Sequence, residues 1–269
     1  MCAKAIVSHD VDHLTIWEHY KDLIVPKYMA RNCIQLFSGS ISLSEWTDLM
    51  GDILSNEWNN IEEVMKFDKE HGVPSTFFIG VSNGLGLSYS LASARKWVNR
   101  ILANGFDVGV HGIAFDDLAT IQKEFQTFKS ISGLQSFGIR MHYLRMNSNT
   151  LEYLDQTGYL FDSTIDELSY HRKLKNMYVF PLHIMDCNIL YKGIAKSVCF
   201  SDAWNNTKAM INQIIDMDIA YLTINFHDRY FRRSHMEWKE WYIQLIEYLI
   251  DNGVKFMNYR DAIFELDQK

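Results

Sequence analysis

Seven side chains able to do acid–base or metal chemistry stand at or just after the ends of short apolar runs of this sequence. They are Asp10, Asp12, His111, Arg140, His142, Asp162 and His227. If the apolar runs are parallel strands, their carboxyl ends meet on one face of the sheet, where catalytic side chains collect. Residues far apart in the sequence are therefore predicted to form a single site.

Asp10 and Asp12 form an Asp-x-Asp pair whose two carboxylates can have different roles. One of the two can bind a divalent metal while the other accepts a proton from water. His111 offers an imidazole to the same ion, and this donor set suits Zn²⁺ or a similar first-row ion. His227 is then the candidate general acid, and Arg140 would orient the base and keep it ionised. Taken singly, either aspartate is also interpretable as a helix N-cap and His111 as a hydrogen-bonded structural residue.

A recurring unit indicates the elements that position these residues. Four times an amphipathic stretch closes on a glycine and the chain passes directly into a β-rich run, at Gly72, Gly105, Gly158 and Gly253. Glycine suits the left-handed position that ends a helix. Further strands are predicted within 5–9, 137–143, 177–182 and 220–227. Alternating helices and strands predict an α/β fold with a mainly parallel sheet, either barrel-like or doubly wound.

The chain is predicted to be a single domain over residues 1–269. It has 3 prolines and no Ser/Gly-rich or single-sign charged stretch that would mark a linker. Residues 14–56 separate the first strand from the next helix-to-strand transition by more than an ordinary connection needs. We expect a helical insertion or cap in that region.

The amino-acid composition favours a globular protein and argues against several other classes. A chain of 269 residues with 48% hydrophobic and 22% charged residues can bury a real core. A net charge of −7 works against capture of a nucleic acid backbone. The 4 cysteines form no C-x-x-C spacing, which argues against a zinc ribbon or a disulfide framework. With no signal peptide and no membrane span recognisable in the sequence, the expected location is the cytoplasm.

Five segments together resemble a known family. In order, SHDVDH, STFFIG, FDVGVHG, GIRMHY and TINFHD are similar to the motif series of the polysaccharide deacetylases, carbohydrate esterase family 4. The segments FPLHIMD and NFHDRYF look like a branch of that family found in bacterial surface-polysaccharide biosynthesis. The resemblance implies a distorted (β/α) barrel of about seven parallel strands, a bound divalent metal, and removal of an N- or O-acetyl group from a sugar.

The resemblance also implies a role for each residue. Asp10 matches the family's catalytic base, Asp12 and His111 match metal ligands, and His227 matches the acid. Arg140 matches the residue that pairs with the base, and the backbone N–H of Tyr143 would face the oxyanion. Asp162 is the first match for the aspartate that tunes the acid, and Asp186 is a weaker one.

Two positions depart from the family pattern. Phe115 stands where a second metal-binding histidine is expected, and His142 replaces a proline. The third ligand is therefore predicted to have moved, to His142 or to Asp116 or Asp117, because a catalytic Zn²⁺ site normally has three protein ligands. Two alternatives stay open: the metal has been lost, or His142 is only a wall residue of the groove.

These inferences predict a metal-dependent deacetylase. Its substrate would be an acetylated, nucleotide- or lipid-linked saccharide of a surface polysaccharide or its cytoplasmic precursor. Three alternatives stay open: hydrolysis of another C–N bond such as a cyclic amide, a carbohydrate-binding protein that kept the fold without catalysis, and a scaffold that binds a partner through residues 14–56.

Overall fold

The computed structural model describes residues 4–19, 22–55, 58–190 and 199–268. The strands are β1 Lys4–Val11, β2 Thr76–Ile79, β3 Asp107–Gly112, β4 Ile139–Met141, β5 Phe161–Asp162, β6 Arg172–Lys173, β7 Tyr178–Val179, β8 Ile184–Met185, β9 Tyr221–Asn225 and β10 Lys255–Met257. The helices are α1 Ile24–Phe37, α2 Leu43–Ser55, α3 Ile61–Glu70, α4 Leu91–Ala103, α5 Leu118–Ser132, α6 Thr150–Thr157, α7 Asp186–Leu190, α8 Phe200–Asp216, α9 Met236–Asp251 and α10 Tyr259–Asp267.

The strands form one curled sheet in the order β6-β7-β5-β4-β3-β2-β1-β9-β8, with β10 pairing with the first residues of β1. Among the described pairings, β6 with β7 is the antiparallel one. The distorted (β/α) barrel is thus confirmed. The described residues form 10 strands, more than the predicted number of about seven, because β5 to β8 have two residues each and leave no periodicity in the sequence.

The four predicted helix-to-strand transitions are present, before β2, β3, β5 and β10. Gly72, Gly105, Gly158 and Gly253 all have positive φ, between 68° and 97°. An L-residue with a side chain adopts such angles at a cost, so glycine ends these helices without strain.

Side chains alternate between two environments along the central strands. On β1, Val7 and Val11 pack in the outer core between strands and helices, whereas Ser8 and Asp10 face the barrel interior, where they contact Arg140. This alternation follows from the two-residue period of a strand. The interior is polar near the carboxyl ends. Deeper in, it is closed by an apolar cluster of Ile6, Phe78, Phe161, Tyr178, Phe180, Tyr221, Met257, Tyr259, Ala262 and Ile263.

Between β1 and α3, the described residues contain α1, α2 and a 3₁₀ turn over Ile16–His19. Helix α1 contacts both α2 and the 3₁₀ turn, and α2 contacts the turn Arg233–His235 that precedes α9. The three described cysteines, Cys33, Cys187 and Cys199, are free thiols, and Cys2 lies outside the described residues. No helix in the described ranges has the length and apolar character needed to cross a membrane.

Candidate active site

Asp10 and Arg140 form a buried ion pair at the centre of the barrel mouth. Arg140 Nη1 donates to Asp10 Oδ1 at 3.0 Å, and Asn225 Nδ2 donates to Asp10 Oδ2 at 2.9 Å. Burial alone would raise the pKa of Asp10, but the Arg140 guanidinium, His111 and His227 together outweigh burial and lower that pKa below its usual value. Asp10 is therefore an ionised carboxylate at neutral pH, able to accept a proton.

Arg140 itself is held by a full set of acceptors. Its guanidinium also donates to the hydroxyls of Ser8, Ser163 and Tyr259, the Asn225 side-chain carbonyl and the Ser163 backbone carbonyl. The residue is completely buried. Because each N–H is directed at a fixed partner, Arg140 positions the Asp10 carboxylate rigidly.

Asp12, His111 and His142 converge at the same barrel mouth. His111 Nε2 lies 3.4 Å and His142 Nδ1 lies 3.3 Å from Asp12 Oδ1, and the two ring nitrogens are 3.0 Å apart. Strand register explains the meeting. His111 of β3 pairs with Arg140 of β4, and His142 follows Arg140 by two residues and so returns to the same face. The three residues form a potential metal site.

The hydrogen bonds at the outer nitrogens show that this cluster fits a cation. His111 Nδ1 lies 3.2 Å from the Arg140 carbonyl and His142 Nε2 lies 3.1 Å from the Leu85 carbonyl. Since a carbonyl only accepts, both outer nitrogens carry hydrogen, and the inner nitrogens of the neutral rings present lone pairs to each other. Asp12 Oδ1, which they both face, is buried without a hydrogen-bond partner. Three electron pairs directed at one point require a positive charge between them, and a carboxylate with two imidazoles suits a catalytic Zn²⁺.

His227 lies on the opposite side of Asp12 and is bound by Asp186. His227 Nδ1 donates to Asp186 Oδ1 at 2.8 Å, and the His227 backbone N–H donates to Asp186 Oδ2 at 2.8 Å. Burial lowers the pKa of His227, but the charge and hydrogen bond of Asp186, together with the neighbouring Cys187, outweigh burial, so the pKa stands well above its usual value. The free Nε2 is 4.0 Å from Asp12 Oδ2. A protonated His227 thus presents an acidic N–H to the cluster.

The assignment of Asp162 as the partner of His227 needs correction. Asp162 accepts hydrogen bonds from the backbone N–H and the hydroxyl of Thr164, two residues further on. Burial raises the pKa of this carboxyl to about 6. The aspartate in contact with His227 is Asp186, because β8 pairs with β9 and Met185 stands opposite Asn225. The chain therefore reaches His227 from the other flank of the sheet.

The other candidate third ligands lie away from the cluster. Asp116 is exposed, and Asp117 caps α5 by accepting from the Thr120 backbone N–H at 2.8 Å. Phe115 packs against the core, and the Arg145 guanidinium lies 4.2 Å from the centre of its ring. Of the residues considered for the third ligand, the structure brings His142 to Asp12 and His111.

The turn after β4 has an unusual backbone. Tyr143 and Leu144 have φ of 56° and 51°, two consecutive non-glycine residues in the left-handed region. Each such residue costs on the order of 1–3 kcal/mol, and such strain is concentrated at functional sites. Tyr143 is 70% exposed as a residue, and its ring packs on His142, with ring centroids 4.2 Å apart. The role of its backbone N–H stays a prediction.

Several neighbours of the site were not selected from the sequence. Asn225 and Ser8 complete the Asp10–Arg140 network. Cys187 Sγ lies 3.8 Å from His227 Nδ1, and Arg229 Nη1 donates to His13 Nε2 at 2.8 Å. Ser8 and Asn225 could have been found from the sequence, because each stands two residues before a predicted site residue, Asp10 or His227, and so lies on the same face of its strand. The contact between Arg229 and His13 could not, because it depends on how the residues after β1 fold.

Solved structures with a similar fold include a polysaccharide deacetylase and an allantoinase. A Mycobacterium smegmatis protein assigned to the polysaccharide deacetylases matches with a TM-score of 0.61 at 17% identity, over 96% of this chain and 93% of that one. The chain has the fold of the polysaccharide deacetylases. An allantoinase shares this deacetylase fold, with a TM-score of 0.58 at 16% identity over 79% of this chain and 74% of that one.

The deacetylase fold also matches part of a larger enzyme. A 4-alpha-glucanotransferase from Thermococcus litoralis gives a TM-score of 0.51 at 11% identity, over 98% of this chain and 38% of that chain. No protein-family model matches the sequence, and no curated protein matches it. The similarity is therefore one of fold.

Proposed function

We propose that this protein is a metal-dependent deacetylase that hydrolyses an N-acetyl group on a sugar of a surface polysaccharide or its cytoplasmic precursor. One observation carries the proposal: an ionised carboxylate, Asp10, and a histidine held by a carboxylate, His227, flank a three-residue cation site. Metal-assisted hydrolysis of an amide needs a base that takes a proton from water and a separate acid that protonates the leaving amine, both beside the metal. The shared fold agrees with this chemistry.

Asp12, His111 and His142 would hold the ion, for which Zn²⁺ is the proposed species. When bound there, Zn²⁺ would supply Lewis-acid chemistry, polarising the acetyl carbonyl and making water more acidic. His111 and His142 are oriented for this by their bonds to the Arg140 and Leu85 carbonyls. Such outer contacts fix the ring tautomers.

The remaining residues move protons. Asp10, fixed by Arg140 and Asn225, takes a proton from the attacking water as its oxygen bonds to the acetyl carbon. His227 gives the proton on Nε2 to the sugar nitrogen as the C–N bond breaks, so that acetate and an amine leave. Asp186 stabilises the imidazolium before this transfer. The backbone N–H of Tyr143 is proposed to donate to the carbonyl oxygen as it gains charge.

Acetate release from a chitin oligosaccharide by the zinc-loaded protein tests this proposal, with allantoin ring opening measured in parallel. Asp10→Asn should lower the rate of acetate release by about 10²–10⁴-fold, the usual contribution of general acid–base catalysis. Asp251→Asn, an exposed aspartate at the end of α9, is the matched control and should leave it unchanged. Full activity in Asp10→Asn would refute the assignment, and ring opening without acetate release would replace the deacetylase by a cyclic-amide hydrolase.

A further inference from the structure

Arg229 is an arginine beside the site that no carboxylate neutralises by contact. It lies in the turn Asp228–Tyr230 directly after His227 and is partly buried. Its Nη1 donates to His13 Nε2 at 2.8 Å, and within the described ranges no acidic side chain forms an ion pair with it. Partly buried arginines are normally paired with a carboxylate, so the described part of the chain leaves room for an anionic ligand to form an ion pair with Arg229.

A directed chain of hydrogen bonds fixes this guanidinium. Asp22 Oδ2 is 2.7 Å from His19 Nδ1, and His19 Nε2 is 2.9 Å from His13 Nδ1. The carboxylate accepts from His19 Nδ1, so His19 Nε2 accepts from His13 Nδ1 and His13 Nε2 accepts from Arg229. His13 is therefore an uncharged partner. It orients Arg229 without adding a negative charge. The guanidinium also lies over the Tyr230 ring, 5.1 Å from its centroid, and the Asp12 carboxylate attracts it without forming an ion pair with it.

Arg229 forms part of the wall of a cavity of about 260 Å³ between α1, α2 and the residues that follow β9. This volume is slightly smaller than the roughly 300–1,000 Å³ of typical small-molecule sites, so the cavity can hold part of a sugar ligand, such as one charged group. Tyr230 and Trp238 form another part of the wall, with ring centroids 3.9 Å apart. The centroids of the Tyr230 and His227 rings are 6.1 Å apart. The cavity therefore begins one aromatic ring away from the proposed acid.

The acidic residues that line the same cavity do not form ion pairs with Arg229. Glu45 and Glu237 are exposed at the rim, and Glu45 accepts from the Ser42 backbone N–H at 2.6 Å. Asp48 lies 3.7 Å from the exposed Arg233. Arg229 thus provides a fixed positive group beside a pair of aromatic rings, a combination that fits a charged sugar.

We propose that Arg229 and this cavity bind an anionic group, a carboxylate or a phosphate, carried by the acetylated saccharide. The inference rests on the proposed function, whose substrate it narrows to an anionic sugar. An acetamide positioned at Asp12 and His227 would place the rest of such a molecule past Tyr230 and into the cavity. Guanidinium binds both carboxylate and phosphate through paired hydrogen bonds.

Calorimetric titration of the zinc-loaded protein tests the inference with three probes: neutral N-acetylglucosamine, N-acetylglucosamine 1-phosphate, and N-acetylmuramic acid, which carries a carboxylate. At least one anionic probe should bind about tenfold or more tightly than the neutral sugar. Arg229→Gln should weaken that probe by about 10- to 100-fold, the usual worth of a charge-assisted hydrogen bond, and leave the neutral sugar unaffected. Tighter binding of the phosphate probe assigns a phosphorylated precursor, and tighter binding of the carboxylate probe assigns an acidic sugar.

Arg95→Gln, which removes an exposed positive charge from α4, is the matched control and should change no affinity. Arg229→Lys retains the charge without the paired donors and should weaken the preferred anionic probe less than Arg229→Gln does, which keeps the test valid if Arg229→Gln fails to fold. Equal affinity for all three probes, or a preference that survives both substitutions, would overturn the inference. Absence of acetate release would refute the deacetylase and leave the binding preference intact, so the two failures are distinguishable.

Discussion

Replacing Asp186 by asparagine should move the alkaline limit of activity to lower pH. His227 acts as an acid in its protonated form. Burial lowers the pKa of His227, but Asp186, the larger contributor, and Cys187 together raise it well above the usual value, so the acid stays protonated through neutral pH. Activity is lost as pH rises through that pKa. Removing the charge of Asp186 lowers the pKa, and the acid then deprotonates sooner.

The size of the shift follows from the contact. His227 Nδ1 and Asp186 Oδ1 are 2.8 Å apart, and the Asp186 side chain is fully buried. Unit charges with centres roughly 4 Å apart interact by about 4 kcal/mol at an effective dielectric constant of ~20. At 1.36 kcal/mol per pH unit this is about three pH units as an upper bound. Measured effects of one opposite charge are about one to three pH units.

The assay is the pH dependence of kcat/KM for acetate release between pH 5 and pH 10, which reports the pKa of the free protein's acid. Asp216→Asn, an exposed aspartate at the end of α8, is the control and should leave the profile in place. Thermal melting of Asp186→Asn checks that the fold is kept. An alkaline limit that stays where it is, with the fold intact, would show that His227 is not the acid or that Asp186 does not set its pKa.

Two further predictions test the electrostatics of the barrel mouth. Arg140→Gln should lower the free energy of unfolding by about 3–5 kcal/mol, because it leaves the buried Asp10 carboxylate unpaired. Denaturant titration should show that adding Asp10→Asn restores part of this loss, and additive losses would refute the coupling. Burial raises the pKa of Asp228 to about 7, so the folded state binds more protons than the unfolded state and stability falls as pH rises from about 4 to 7. Asp228→Asn should therefore raise Tm at pH 8 more than at pH 5, and an equal change at both would contradict this reasoning.

The sequence predicted which residues would lie together because the carboxyl ends of parallel strands always lie at the same edge of a sheet. Asp10, Asp12, His111, Arg140, His142 and His227 all follow apolar runs, and all lie at one barrel mouth. Alternation within a strand already places Arg140 and His142 on one face. That these two residues face the same site could therefore be predicted without knowing the order of the strands.

The choice between competing residues needed the three-dimensional path of the chain. Asp162 and Asp186 each stand at or directly after a two-residue strand, and the sequence does not show that β8, rather than β5, pairs with β9. The Arg229–His13 contact likewise depends on how the residues after β1 fold. No periodicity specifies that path, because turns and short strands carry few residues of regular pattern.

Metal content tests the central claim most directly. Protein purified without chelator, loaded with Zn²⁺ and freed of excess, should hold about one equivalent by elemental analysis, since Asp12, His111 and His142 supply three ligands. His142→Ala should lose this ion, whereas Asp116→Ala, the matched variant at the exposed alternative position, should keep it. A wild-type protein that retains no ion, or a His142→Ala variant that keeps a full equivalent while Asp116→Ala loses it, would contradict the account.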